Sequence, residues 1–177
     1  MYGCPSAMSS QDENDQALRA LFARHAPALG RLVRHYEAEP EARRDLEQEI
    51  LIALWRAWAS FRGECSERTW VYRVAHNVAA SHVARALRTR RTIDAQGSAP
   101  EPEPPRAPDD VTAERDTVRR LEQRIQTLDL QSRQLVLLAL EGCTTAEIVE
   151  VTGLSPTNVT TKLSRLRKAL ADTEEAS

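Results

Sequence analysis

The sequence predicts an all-α protein made of two small helical domains joined by an acidic, proline-rich linker. Three observations predict it. Ala, Leu, Arg and Glu dominate, residues that lose little freedom in a helix, and no alternating β-branched run of strand type occurs in the 177 residues. Apolar positions recur at three- and four-residue spacing in several stretches. Five prolines, Pro100, Pro102, Pro104, Pro105 and Pro108, then exclude regular helix from one short window.

Taken in order, residues 1–14 read as a polar, disordered leader. Asp15 to Tyr36 carries Leu18, Leu21, Phe22, Leu29, Leu32 and Val33 on a helical period, and Pro27 bends this helix or divides it into two. Glu41 to Ala59 is a second helix, and Phe61 to Ser66, with Gly63, is a loop. Thr69 to about Arg91 is a third, long helix, which closes a first domain over 15–92. The linker takes 93–111, stiff and extended by its prolines. A second domain over 112–172 holds helices from Val111 to about Leu128, Gln131 to Glu141, Thr145 to Thr152 and Pro156 to Ala171, leaving 173–177 as a tail.

The net charge of −2 hides a strong segregation. Between Trp55 and Arg91 eight arginines oppose only Glu64 and Glu67, about +6 by formal counting. Between Asp94 and Asp116 seven acids oppose Arg106 and Arg115, about −5. From Ser155 to Leu170 Lys162, Arg165, Arg167 and Lys168 face no acid at all. Two basic blocks flanking an acidic spacer are the footprint of polyanion binding, or else ordinary solvated helix surfaces.

Other chemistries lack their motifs. Cys4, Cys65 and Cys143 are isolated, with no ligand spacing for a structural metal and no disulfide framework, as expected of a reducing cytoplasm. No apolar run reaches membrane-spanning length and no secretory signal pattern opens the chain. No phosphate loop or nucleophile–base pair is present, and His25, His35, His76 and His82 have no evident partners. The expectation is a non-enzyme with no cofactor, no metal and no membrane insertion.

The last two helices have clear punctuation. Thr144 and Glu147 form a Thr-x-x-Glu capping box, Gly153 follows the helix, Ser155 caps the next and Pro156 sits at its first position. That is the spacing of a helix-turn-helix. Ile148, Val149, Leu154, Val159, Leu163, Leu166 and Leu170 supply its core. On the opposite face Thr157, Asn158, Thr161 and Lys162 can reach base edges, with Ser155 and Thr160 beside them, and Arg165 and Lys168 can hold phosphate.

On a helical wheel, Glu41–Ala59 buries Ile50, Leu54, Ala57 and Trp58, joined by Phe61. It turns Asp45, Gln48, Glu49, Ile52, Trp55 and Arg56 the other way, a mixed patch suited to a protein partner, unless Trp55 packs on a neighbouring helix. The next helix buries Val71, Val74, Ala75, Val78 and Ala86. Its other face carries Thr69, Arg73, His76, Asn77, Ala80, Ala84 and Arg88, bordered by Trp70 and Tyr72. Such a face can hold phosphate, read bases and stack on unpaired ones.

Four stretches carry a family resemblance. Residues 45–58 (DLEQEILIALWRAW), 61–66 (FRGECS) and 69–77 (TWVYRVAHN) resemble region 2 of extracytoplasmic-function sigma factors, and residues 141–159 (EGCTTAEIVEVTGLSPTNV) resemble their region 4. The resemblance covers about 15–92 and 112–171. It implies a transcription initiation factor that binds core RNA polymerase, directs it to promoter DNA and helps melt the −10 element. Asp45, Gln48, Glu49, Leu51, Ile52 and Trp55 would dock on the β′ clamp helices, although Leu51 falls nearer the buried side of the wheel. Phe61, Arg62, Gly63 and Arg68 would belong to the loop that captures a flipped base, at a cost of a few kcal/mol that contacts to the freed strand must offset. Thr69, Arg73, His76, Asn77 and Arg88 would contact the −10 element and its upstream edge, and region 4 would read the −35 element and meet the β flap. The acidic linker would suit a channel built for a polyanion, or serve as a bare tether. Many relatives are held by an anti-sigma factor. Departures from the usual pattern, His76 for Arg, Ser81 for an acid, and Asn158 and Thr160 for Thr and Lys, bear on the promoter sequence. A helix-turn-helix regulator acting without polymerase is the competing reading. It explains the C-terminal half but neither the Gln48–Trp55 patch nor the Arg73–Asn77 face.

Overall fold

The computed structural model describes residues 10–95 and 113–171. These form seven helices and, among the described residues, no strand: α1 (Ser10–Tyr36), α2 (Pro40–Trp58), α3 (Glu67–Ala95), α4 (Ala113–Thr127), α5 (Leu130–Leu140), α6 (Thr145–Thr152) and α7 (Pro156–Ala171). Most of the expected leader and linker, and the tail, lie outside the described residues.

Three expectations are corrected. Residues 10–14 are helical, and Asn14 accepts a 2.8 Å hydrogen bond from the Trp58 indole. Residues 93–95 extend α3. Of the two effects expected of Pro27, a bend or a division, the division does not occur, and α1 runs through it. A proline inside a helix costs about 3 kcal/mol, but here it stands on the exposed side. The buried stripe of Leu18, Leu21, Leu29, Leu32, Val33 and Tyr36 runs past it. At roughly 1.5–3 kcal/mol for each buried large apolar side chain, that packing outweighs one lost backbone bond.

The first unit packs α2 and α3 against α1. Leu46, Ile50 and Leu54, four residues apart, form the fully buried stripe of α2. Trp58, Phe61 and Trp70 stack where α2, the loop and α3 meet, with centroids 5.1–5.9 Å apart. In the second unit α5 is a buried strut, capped at its start by Asp129, which accepts from the backbone N–H groups of Gln131 and Ser132. The capping box of Thr144 and Glu147 is formed, and Gly153 takes φ +70° to turn α6 into α7.

The two units are docked on each other. Ile125, Val136 and Leu137 of the second join the apolar core of the first, and α6 lies along α3.

Candidate functional site

The outward face of α2 is assembled as its wheel predicts. Asp45, Gln48 and Arg56 are exposed and Glu49 is half-exposed, while Ile52 keeps 47% and Trp55 61% of its surface in solvent. An exposed tryptophan beside an exposed isoleucine leaves a contiguous apolar surface in water on this face. Leu51 is half-buried at the margin of this face. An open groove of about 520 Å³ separates α2 from α3, with Glu49, Ile52, Ala53 and Arg56 on one wall and Asn77, Val78, Ser81 and Arg85 on the other. The Arg85 guanidinium holds the Glu49 carboxylate at 2.5 Å across it.

The loop before α3 turns sharply at Gly63, whose φ of +73° favours glycine. Arg62 and Gly63 are exposed, but Phe61 is half-buried in the aromatic stack and so tethers the loop. Ser66 caps α3 by accepting from the Thr69 N–H.

On α3 the expected polar face breaks apart. Asn77 and Arg88 are exposed and Arg73 is half-buried, 3.9 Å from the Cys65 sulfur. Thr69 and His76 are buried, as are the bordering Trp70 and Tyr72, and the expected core residue Ala86 is exposed. His76 lies between α1 and the second unit, where the Tyr36 hydroxyl and His76 Nδ1 are 2.9 Å apart and the two rings meet edge-on. Burial pushes the His76 pKa down to about 3, so the ring is neutral and shares one hydrogen bond with the Tyr36 hydroxyl. A neutral, buried imidazole cannot present charge to DNA. Thr69 has turned inward because its hydroxyl pairs with Ser66 Oγ at 2.8 Å.

Arg68, assigned from the sequence to the base-capture loop, is engaged elsewhere. Its guanidinium lies over the Tyr72 ring and donates to the Glu141 carbonyl. Glu141 itself accepts two 2.7 Å bonds from Arg31 and one of 3.1 Å from the Tyr72 hydroxyl. Arg31 holds the Glu141 carboxyl below its ordinary range, and burial pushes Tyr72 up to about 12. No local pattern reveals this cluster, because its members are 69 and 110 residues apart in the chain. The one sign in the sequence is an acid just after an apolar helix.

The face of α7 is built as expected. Ser155, Thr157, Asn158, Thr160, Thr161, Arg165 and Lys168 are exposed, and Lys162 is half-buried with its ammonium on the Gln131 side-chain oxygen. Val159 and Leu163 are buried beneath them. Among the described residues no cluster of metal-ligating side chains occurs, and no helix is long and apolar enough to cross a membrane.

Known proteins match both units. Residues 21–89 match the family model Sigma-70 region 2 and residues 118–170 match Sigma-70, region 4. RNA polymerase sigma factor CnrH of Cupriavidus metallidurans is 26% identical over 93% of this chain and 90% of its own. RNA polymerase sigma factor YlaC of Bacillus subtilis is 25% identical over 92% of each. Two solved structures share the fold at a TM-score of 0.67: CnrH in complex with the cytosolic domain of CnrY (22% identity, 92% of this chain and 90% of that one) and the sigma factor RpoE in complex with the anti-sigma factor NepR from Bartonella quintana (19%, 92% and 97%).

Proposed function

We infer that this chain, which belongs to the sigma-70 family in its extracytoplasmic-function group through one region 2 and one region 4, is a transcription initiation factor directing core RNA polymerase to promoters. The observation that carries the reading is the outward face of α2, where Trp55 and Ile52 stand in solvent amid Asp45, Gln48 and Glu49 on a helix whose other side is fully packed. A rigid helix with an aromatic anchor and a polar rim is what a larger protein grips. On this reading α2 meets the β′ clamp helices. The loop at Arg62 and Gly63, with Arg73, Asn77 and Arg88, meets the melted −10 strand, and the exposed face of α7 reads the −35 element. A regulator acting alone has no use for the α2 surface. The protein works by binding rather than catalysis, in the cytoplasm where polymerase resides. An anti-sigma factor is a further partner class, supported by the relative crystallised with one.

Run-off transcription with core polymerase on a genomic promoter library tests the reading, with capture of core enzyme as the direct assay. Gln48→Ala with Trp55→Ala should weaken core binding at least about tenfold, as loss of an interface anchor does, and leave the helical content unchanged. Duplex DNA binding by the chain alone with no affinity for core would favour the regulator.

A further inference from the structure

The Glu49 carboxylate lies on the face of α2 to which the proposed function gives polymerase binding, and two side chains of α3 reach it. Arg85 holds its Oε2 at 2.5 Å across the groove. His82, one helical turn before Arg85 on the same side of α3, turns Nδ1 toward its Oε1 at 3.7 Å. The His82 side chain lies deeper, 14% exposed, and its other nitrogen, Nε2, stands 3.5 Å from Oε2 of Glu37, just past the end of α1. Glu37 is itself fixed. Its Oε1 accepts from the Glu39 N–H at 3.0 Å, and its carbonyl accepts from Arg43 Nε of α2 at 2.7 Å. One imidazole therefore sits between carboxylates of two different segments, with Arg85 as the cation on its own helix.

Charge state decides what that ring can do. A neutral imidazole has one N–H and one lone pair, so it serves one carboxylate and turns the lone pair toward the other anion. The protonated ring donates from both nitrogens. Nδ1 is buried and has no hydrogen-bond partner among the described residues. Buried polar atoms are seldom left unbonded, and a small shift of the Glu49 carboxylate closes the 3.7 Å gap. The Arg85 and Glu49 side chains are 53% and 37% exposed, and ion pairs so open to water add little stability. What the pair fixes is the direction of the carboxylate. We propose that His82 and Arg85 are positioning residues that hold Glu49 from α3 for its contact with polymerase, and that a proton on His82 tightens the hold, so that core enzyme is recruited more strongly at lower pH. This rests on the initiation-factor reading and adds to it a control on the α2 face exerted from behind. A charged group held in place at the rim of an interface steers encounter and loses less freedom on binding.

The test titrates core polymerase into the fluorescently labelled full chain at pH 6 and pH 8, the range over which histidine side chains change charge. His82→Gln supplies the pH ratio that belongs to the enzyme itself. Relative to that ratio, the unchanged chain should bind about threefold tighter at pH 6 than at pH 8, the scale of one partly exposed charge pair. Glu49→Gln should be as flat as His82→Gln. At pH 7 Arg85→Ala should weaken binding by a similar factor, Arg85→Lys should restore most of it, and Arg85→Ala should add little in the Glu49→Gln chain, as expected of residues acting through one carboxylate. Circular dichroism checks that each variant is folded. Equal pH ratios for the unchanged chain and His82→Gln would overturn the role of the proton. A loss from Arg85→Ala that persists in full without the Glu49 charge would overturn the positioning. A chain that loses core binding on Trp55→Ala but ignores both α3 substitutions keeps the initiation reading and overturns this proposal alone, whereas a chain that binds no core at either pH overturns both.

Discussion

Helices α7 and α3 both carry basic side chains on a polar face, but their surroundings differ. α7 packs on α5 and α6, which lie to one side, so Val159 and Leu163 go in and the opposite residues stay in water. α3 is gripped by α1, α2 and α6 from several directions, and Thr69, Trp70, Tyr72 and His76 are buried along with Val71 and Ala75. A wheel divides a helix into two halves, which suits a helix with neighbours on one side only. Where neighbours surround a helix, polar residues are buried too, each with a specific bond: Tyr36 to His76, Ser66 to Thr69, Glu141 to Tyr72.

The largest effect should fall on His76. His76→Ala removes the hydrogen-bond partner of the buried Tyr36 hydroxyl and leaves a void, a loss of about 2–4 kcal/mol in urea unfolding. Its pH dependence sharpens the point. The folded ring titrates near 3 against 6.5 in the unfolded chain, so its contribution is complete above 6.5 and declines as the pH falls toward 3. Between pH 7.5 and 5.5 the unchanged chain should lose about 1.4 kcal/mol of stability that the variant does not lose. Equal pH slopes would mean that His76 is solvated after all.

An intermediate effect is expected at the start of α6. Thr144→Ala removes the capping box and should cost region 4 about 1 kcal/mol, read as an earlier melting of that unit. The smallest change in stability belongs to Asn77→Ala, one residue from His76 but exposed, at less than about 0.5 kcal/mol. Its consequence should be functional: promoter opening down about tenfold, the value of one good base contact, with core affinity retained. Equal loss of both would remove Asn77 from the DNA face.

Much of this architecture was legible because its signals are local. Caps at Thr144 and Ser155, the turn at Gly153 and the stripes of α2 and α7 depend on residues a few positions apart. So does the exposed patch at Ile52 and Trp55, since α2 has an unpartnered side. The illegible part is long-range. Pro27 read as a bend or a break because nothing nearby discloses the packing that carries the helix through it. Arg68 read as a DNA contact because its partner Glu141 lies 73 residues away. Asp129 as the cap of α5 was within reach of local reasoning, since an acid immediately precedes an apolar helical run.

The groove between α2 and α3 ties two properties together. On the proposed function, its walls mix residues that would serve enzyme assembly, Glu49 and Ile52, with Asn77, which would face the promoter, and Ser81 beside it. On that reading, substitution at position 77 or 81 to retune specificity should also perturb holoenzyme assembly. On the same reading the outward side of α7 stands apart from that groove, so substitutions there should alter −35 recognition while leaving the α2 face intact.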